Sequence, residues 1–134
     1  MSLDPALIRL SYELWEASLP GREYILSVEA LDTLDRIPRA EAVEVRRALR
    51  YLNRLGHLVA RGPLDADFVR TLVGKEVIRT VEKLQPALTE VRGRRGDPQY
   101  LEYVDALLRV CREAYPDYQA AYYPEERRNL GLSV

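Results

Sequence analysis

Apolar residues along this chain recur at steps of three and four, the rhythm of helices that bury one face. The rhythm is most regular from Arg39 to Arg61, where Val45, Leu49, Leu52, Leu55 and Val59 share one side. Ala48, Tyr51 and Leu58 widen that stripe, which predicts a helix laid against a core rather than a narrow coiled-coil seam. Gly62 and Pro63 stop it, because glycine suits the left-handed cap and proline cannot continue a helix. Asp65 reads as the N-cap of a short helix to Val73, with Leu64 and Val69 placed to close a hydrophobic staple.

The flanks follow the same logic. Asp4-Pro5 opens a first helix that ends by Leu19, ahead of Pro20. A second helix spans about Arg22 to Leu34 and buries Tyr24, Ile25, Val28, Leu31 and Leu34, before Ile37-Pro38 breaks the pattern. Gly74 reads as a terminator or hinge ahead of a helix from Lys75 to Val91. Pro86 lies inside that pattern, and its missing donor predicts a kink. Arg92 to Gly96 reads as a basic turn, and Asp97-Pro98 as the cap of a last helix to Ala114 with Leu101, Val104, Leu108 and Cys111 inward. Residues 115–134 form a tyrosine-rich, partly helical tail. No alternating strand pattern and no Asn-Gly or Asp-Gly hairpin is present. The expectation is one all-α domain over residues 1–134, an irregular bundle of five or six helices. The helix at 39–61 should be central and the most buried.

Three pieces recur in a known order. They are LNRLGHLVARGPLDADFVRTLVGKEVIR from Leu52 to Arg79, LQPAL from Leu84 to Leu88, and RRGDPQYLEYVDALL from Arg94 to Leu108. On these pieces the chain, from Arg47 to Leu108, resembles an uncharacterised bacterial helical domain of unknown function. The resemblance implies an all-helical fold and no assigned reaction, cofactor or catalytic residue, so architecture transfers and no site does. Some members of that family carry a membrane segment ahead of the domain, and no such segment stands in this sequence.

Composition narrows the function. The chain has 134 residues, a formal charge of −1 and 47% apolar residues, which fits a globular, soluble domain and gives no long-range pull toward polyanions. Arginine predominates heavily over lysine, a bias that fits a GC-rich bacterial genome. One cysteine, Cys111, precludes an internal disulfide and suits a reducing cytoplasm. No stretch reaches the roughly 20 apolar residues of a membrane span, and the N-terminus lacks the basic start of a signal peptide. A cytoplasmic setting without membrane contact is expected.

Candidate chemistry is sparse. His57 is the one histidine, so a multi-histidine metal site cannot form; near a helix C-terminus its structural reading is the plain one. Cys111 on an apolar stripe reads as a small hydrophobe rather than a nucleophile. No metal or cofactor is expected. Arg46, Arg50 and Arg54 step by four along one face, with Arg61 further on. Such a row can grip phosphates; it can also be a solvated face balanced by Glu41, Glu44 and acids from other helices. Arg94 and Arg95, with Arg92, form a second basic cluster that could hold an anion beside two glycines or be an exposed turn; it is not a P-loop, for no strand precedes it and no Walker lysine follows. A helix–turn–helix over Arg46 to Val73 would lead its reading helix with Asp65 and Asp67, which repel phosphate; nucleic acid is not the expected partner. Tyr115, Tyr118, Tyr122 and Tyr123 crowd the tail. Such side chains suit an interface or a segment folded back on its own core. The leading reading is therefore a non-enzymatic interaction or scaffold module, self-associating or binding a protein. The alternative is a binder of a phosphate-bearing ligand or nucleic acid through the arginine row. The weaker alternative is an enzyme of unassigned class, with a polar pocket near His57 or Tyr51.

Overall fold

The computed structural model describes residues 4–118. It is all-helical, with α1 at Pro5–Ala17, α2 at Leu19–Ser27, a 3-10 turn at Leu34–Arg36, α3 at Arg39–Ala60, α4 at Ala66–Arg95 and α5 at Glu102–Ala114. No strand occurs among the described residues. α3 packs on α5, α2 and α1, while α4 packs on α5 and α2. The apolar rhythm of α3 is fully used: Val45, Ala48, Leu49, Leu52 and Leu55 are all buried.

Local chemistry starts each helix. Asp4 caps α1 by accepting from the Ala6 amide at 2.9 Å, and Asp65 caps α4 by accepting from the Asp67 amide at 3.1 Å. α2 starts at Leu19 rather than Arg22, because Pro20 falls in its first turn, where no amide donor is needed. It also ends earlier than expected, at Ser27. The Ser27 hydroxyl donates to the Tyr24 carbonyl at 2.7 Å, a local bond that competes with helix continuation. Lys83 of α4 donates to the Leu26 carbonyl at 3.3 Å and also to that of Val28, satisfying the frayed end. Leu31, Leu34 and Ile37 stay buried, but they reach the core from loop and 3-10 turn.

The largest departure from expectation is α4. The short helix, the hinge at Gly74, the helix across Pro86 and the basic turn are one helix of 30 residues, about 45 Å long. Gly74 does not terminate it. It is buried, and a β-carbon there would stand 2.6 Å from Cε2 of Tyr115, so the glycine seats that ring. Pro86 is exposed within the helix and deprives the Glu82 carbonyl of its intrahelical donor. Leu84, Ala87 and Leu88 on either side are fully buried, and their packing carries the helix past that defect. Val77, Ile78, Val81 and Thr80 are likewise fully buried. α4 thus carries more fully enclosed side chains than α3, while α3 keeps the central place, packed on three helices. α4 closes at Gly96, whose φ of 64° is the left-handed cap, with the Asp97 amide reaching back to the Arg92 carbonyl at 3.0 Å.

α5 also starts later than Asp97-Pro98 predicts. Asp97 accepts from the Gln99 amide at 3.1 Å, making a turn rather than a helix cap. Leu101 then adopts a φ of 56° before the helix begins, a conformation unfavourable for a branched side chain.

Candidate functional site

α3 carries the arginine row on its solvent side. Arg46, Arg50 and Arg54 are all exposed, and their four-residue spacing holds them within an arc of roughly 80°. His57 and Arg61, both exposed, extend the stripe to about 22 Å. The acids of this helix fall elsewhere: Glu44 pairs with Arg47 at 3.3 Å. The balance expected from Glu41 and Glu44 is therefore not made. Among the described residues no ion pair engages Arg46, Arg50 or Arg54.

Arg94 and Arg95 are separate from this row. They stand in the last turn of α4, not in a loop, where cations oppose the negative end of the helix dipole. Arg94 meets Glu90 at 3.2 Å and Asp35 at 3.4 Å. The hydrogen bond it donates to Glu90, first, and the charge of Asp35 hold its guanidinium above the ordinary value. Arg95 stacks over Tyr100 at 4.1 Å. Both already have partners.

At the far end of the α3 stripe, the start of α5 crosses α3. Asn53 Oδ1 accepts from the Tyr103 amide at 3.1 Å. It thus supplies from another helix the cap that Leu101 cannot give, since α5 has no side-chain cap of its own. Gly56 lets the two backbones meet, for a β-carbon there would lie 1.9 Å from the Tyr103 carbonyl oxygen. Arg61 Nε donates to the Tyr103 hydroxyl at 3.1 Å, and the His57 ring stands edge-on to that of Tyr103 at 4.7 Å. From α4, Arg92 donates to the carbonyls of Tyr100 at 2.8 Å and Leu101 at 3.2 Å, and pairs with Asp105 at 2.8 Å. These bonds hold the left-handed Leu101 in place. Two of the quoted sequence pieces, the Leu-Asn-Arg-Leu-Gly run and the Arg-Gly-Asp-Pro turn, thus join in space.

Asn53 and Tyr103 were not candidate residues in the sequence, and Arg92 was read only as part of a basic turn. The signal available was Asn53 in mid-helix, a place asparagine disfavours unless its side chain has work to do. Arg22 was also missed. It is buried, donates to Ser18 at 2.7 Å and to the Trp15 carbonyl at 2.8 Å, and lies 3.5 Å from the Trp15 ring centre. Burial lowers its guanidinium from the ordinary value, while Glu76, Glu16 and Glu23 oppose that shift. It ties the α1–α2 corner together.

The remaining candidates fall as follows. Cys111 is fully buried, and desolvation pushes its thiol up to about 12, against a smaller lowering by Arg70. It is held as a neutral thiol, the opposite of an activated nucleophile. Tyr115 and Tyr118 are half-buried against the core, with the Lys75 ammonium 5.4 Å and 5.8 Å from their ring centres. Tyr122 and Tyr123 lie outside the described residues. A cleft of about 120 Å³ at the end of α2 is lined by Tyr24, Leu31, Asp32, Thr33 and Arg36, smaller than the roughly 300–1,000 Å³ of ligand pockets and remote in sequence from His57 and Tyr51. Among the described residues no group of three or more His, Cys, Asp or Glu could hold a metal ion. No helix there is long and apolar enough to cross a membrane. The helix after Gly62-Pro63 is no short reading helix but the 30-residue α4, with Val69 and Val73 turned into the core.

The family model described as Domain of unknown function (DUF4760) matches residues 9–110. The chain belongs to this family. The match takes in α3, α4 and the crossing with α5, and most of α1. No curated protein and no solved structure matches the chain.

Proposed function

We propose that this domain is a non-enzymatic interaction module that docks an anionic partner on the solvent face of α3. One observation carries the reading: Arg46, Arg50 and Arg54 stand exposed in a row, with no carboxylate pairing them among the described residues. A guanidinium row of this kind costs nothing to desolvate until a partner arrives, and its planar donors suit carboxylate or phosphate oxygens. The chemistry of the two usual nucleophile candidates supports the same conclusion. Cys111 is a neutral, buried thiol, and His57 touches Tyr103 rather than a carboxylate that would orient it as a base. A single thiol kept in the core also fits a reducing, cytoplasmic setting.

The test is direct binding by fluorescence anisotropy, with labelled polyglutamate and inorganic polyphosphate as probes. At about 50 mM salt at least one probe should bind, and at about 500 mM binding should fade as charges are screened. Arg50→Glu should weaken it about fivefold or more, while Arg95→Glu should leave it unchanged. Absence of any salt-sensitive binding, or equal loss in both variants, would remove the proposal.

A further inference from the structure

We infer that the occupant of the α3 face is a second copy of this chain, presented through its acidic α1–α2 arm. The inference rests on the reading of α3 as an anion-docking face. Residues 4–35 hold seven acids and two bases, and residues 36–61 hold seven arginines and two acids. Charge is thus sorted onto consecutive stretches of chain. Within one copy it is not neutralised: among the described residues, no ion pair joins an acid of the first stretch to an arginine of the second. Glu13, Glu16 and Glu23 are exposed on α1 and α2. Of the two bases nearby, Arg22 is buried against Trp15 and only Arg9 is exposed.

Each surface also carries exposed apolar groups. Tyr12 and Leu19 are 44% and 38% exposed; Tyr12 stands one turn from Glu16 on α1, with one edge of its ring against Phe68, and Leu19 opens α2. Val43 is 51% exposed and lies within the arc of the arginine row. A phosphate polymer would use the guanidiniums and leave Val43 in water. A protein arm that mixes Tyr12 and Leu19 with carboxylates meets both, as protein interfaces do. Two α3 faces laid together would set arginine against arginine, so the arm is the complementary surface. Because α1 packs on α3 within each copy, both arms engage at once in a closed two-fold pair, each on the other's arginine row. A net charge of −1 leaves almost no long-range repulsion to oppose this.

Charge exchange tests it. Sedimentation equilibrium is run on the full chain, on E13R/E16R/E23R, on R46E/R50E/R54E, and on an equimolar mixture of the two variants. The unchanged chain should dimerise at about 50 mM salt and dissociate about tenfold more readily at about 500 mM. Each variant alone should be monomeric, and the mixture should dimerise again, since the reversed surfaces match across copies. Should a triple variant melt early, E16R and R50E carry the same comparison. Three results overturn the inference: a monomer at every salt concentration, a single variant that still dimerises, or a mixture that stays monomeric. A monomer that still binds polyglutamate through Arg50 removes the second copy while leaving α3 as a docking face. A monomer that binds neither probe removes both.

Discussion

Arginine is used in opposite ways on the solvent face of α3 and at the junction where α5 begins. On α3, Arg46, Arg50 and Arg54 project into water and meet no carboxylate among the described residues. At the junction, Arg92 is largely enclosed and joins two carbonyls and the Asp105 carboxylate. Further along, Arg112 of α5 pairs with Glu82 of α4 and donates to the Tyr115 carbonyl at 3.1 Å. The difference teaches what each region is for. A charge whose hydrogen bonds are all met within the fold specifies structure, and its removal strands the groups around it. An exposed charge adds little to stability, so a row of them is free to change with a partner.

Substitutions sharpen that contrast, starting at the junction. Gly56→Ala should have the largest effect, because its β-carbon would overlap the Tyr103 carbonyl and push α5 off α3. A loss of about 3 kcal/mol in denaturant unfolding is expected, and a change near zero would mean the crossing is looser than described. Arg92→Met keeps the apolar stem but drops both carbonyl bonds and the Asp105 pair. It should cost about 2 kcal/mol, and amide exchange should quicken at Leu101 to Val104 before elsewhere.

Cys111 gives a smaller effect, confined to alkaline pH. Its thiol is raised from 9.0 to about 12 in the fold. The unfolded chain therefore loses this proton first as pH rises. The contribution is full below about pH 9 and declines toward pH 12. Cys111→Ala should show a shallower loss of stability across that window than the unchanged chain, and parallel curves would count against the buried thiol. The smallest effect belongs to α3: changing Arg46, Arg50 and Arg54 together to Gln should move stability by no more than about 0.5 kcal/mol while abolishing salt-sensitive binding. A large destabilisation there would erase the distinction between the two regions.

Much of the fold was legible beforehand, for particular reasons. Asp4 and Asp65 announce helix starts because a capping carboxylate acts within two residues of its own position. The α3 stripe around Leu49 and Leu52 was legible because both faces of a helix are set by spacing alone. Gly74 misled as a terminator, since its local cost is real but is offset by fully buried neighbours such as Val77 and Ile78. For the candidate site, the row of Arg46, Arg50 and Arg54 was visible as a periodicity. That it lacks carboxylate partners among the described residues was not, because carboxylates from any helix could have met it. Asn53, Gly56 and Tyr103 escaped notice because their roles depend on one another across about fifty residues of chain.

What the order of residues determined on its own was helical character, the buried side of α3 and the alignment of its arginines, because these depend on interactions within a turn or two of chain. Only the tertiary structure decided that α4 runs unbroken, that Asn53 caps α5, that Arg94 is already paired while Arg50 meets no carboxylate among the described residues, and that Tyr115 rests on Gly74. Those outcomes turn on which distant groups come within hydrogen-bond or van der Waals reach, and packing, not local preference, sets that distance.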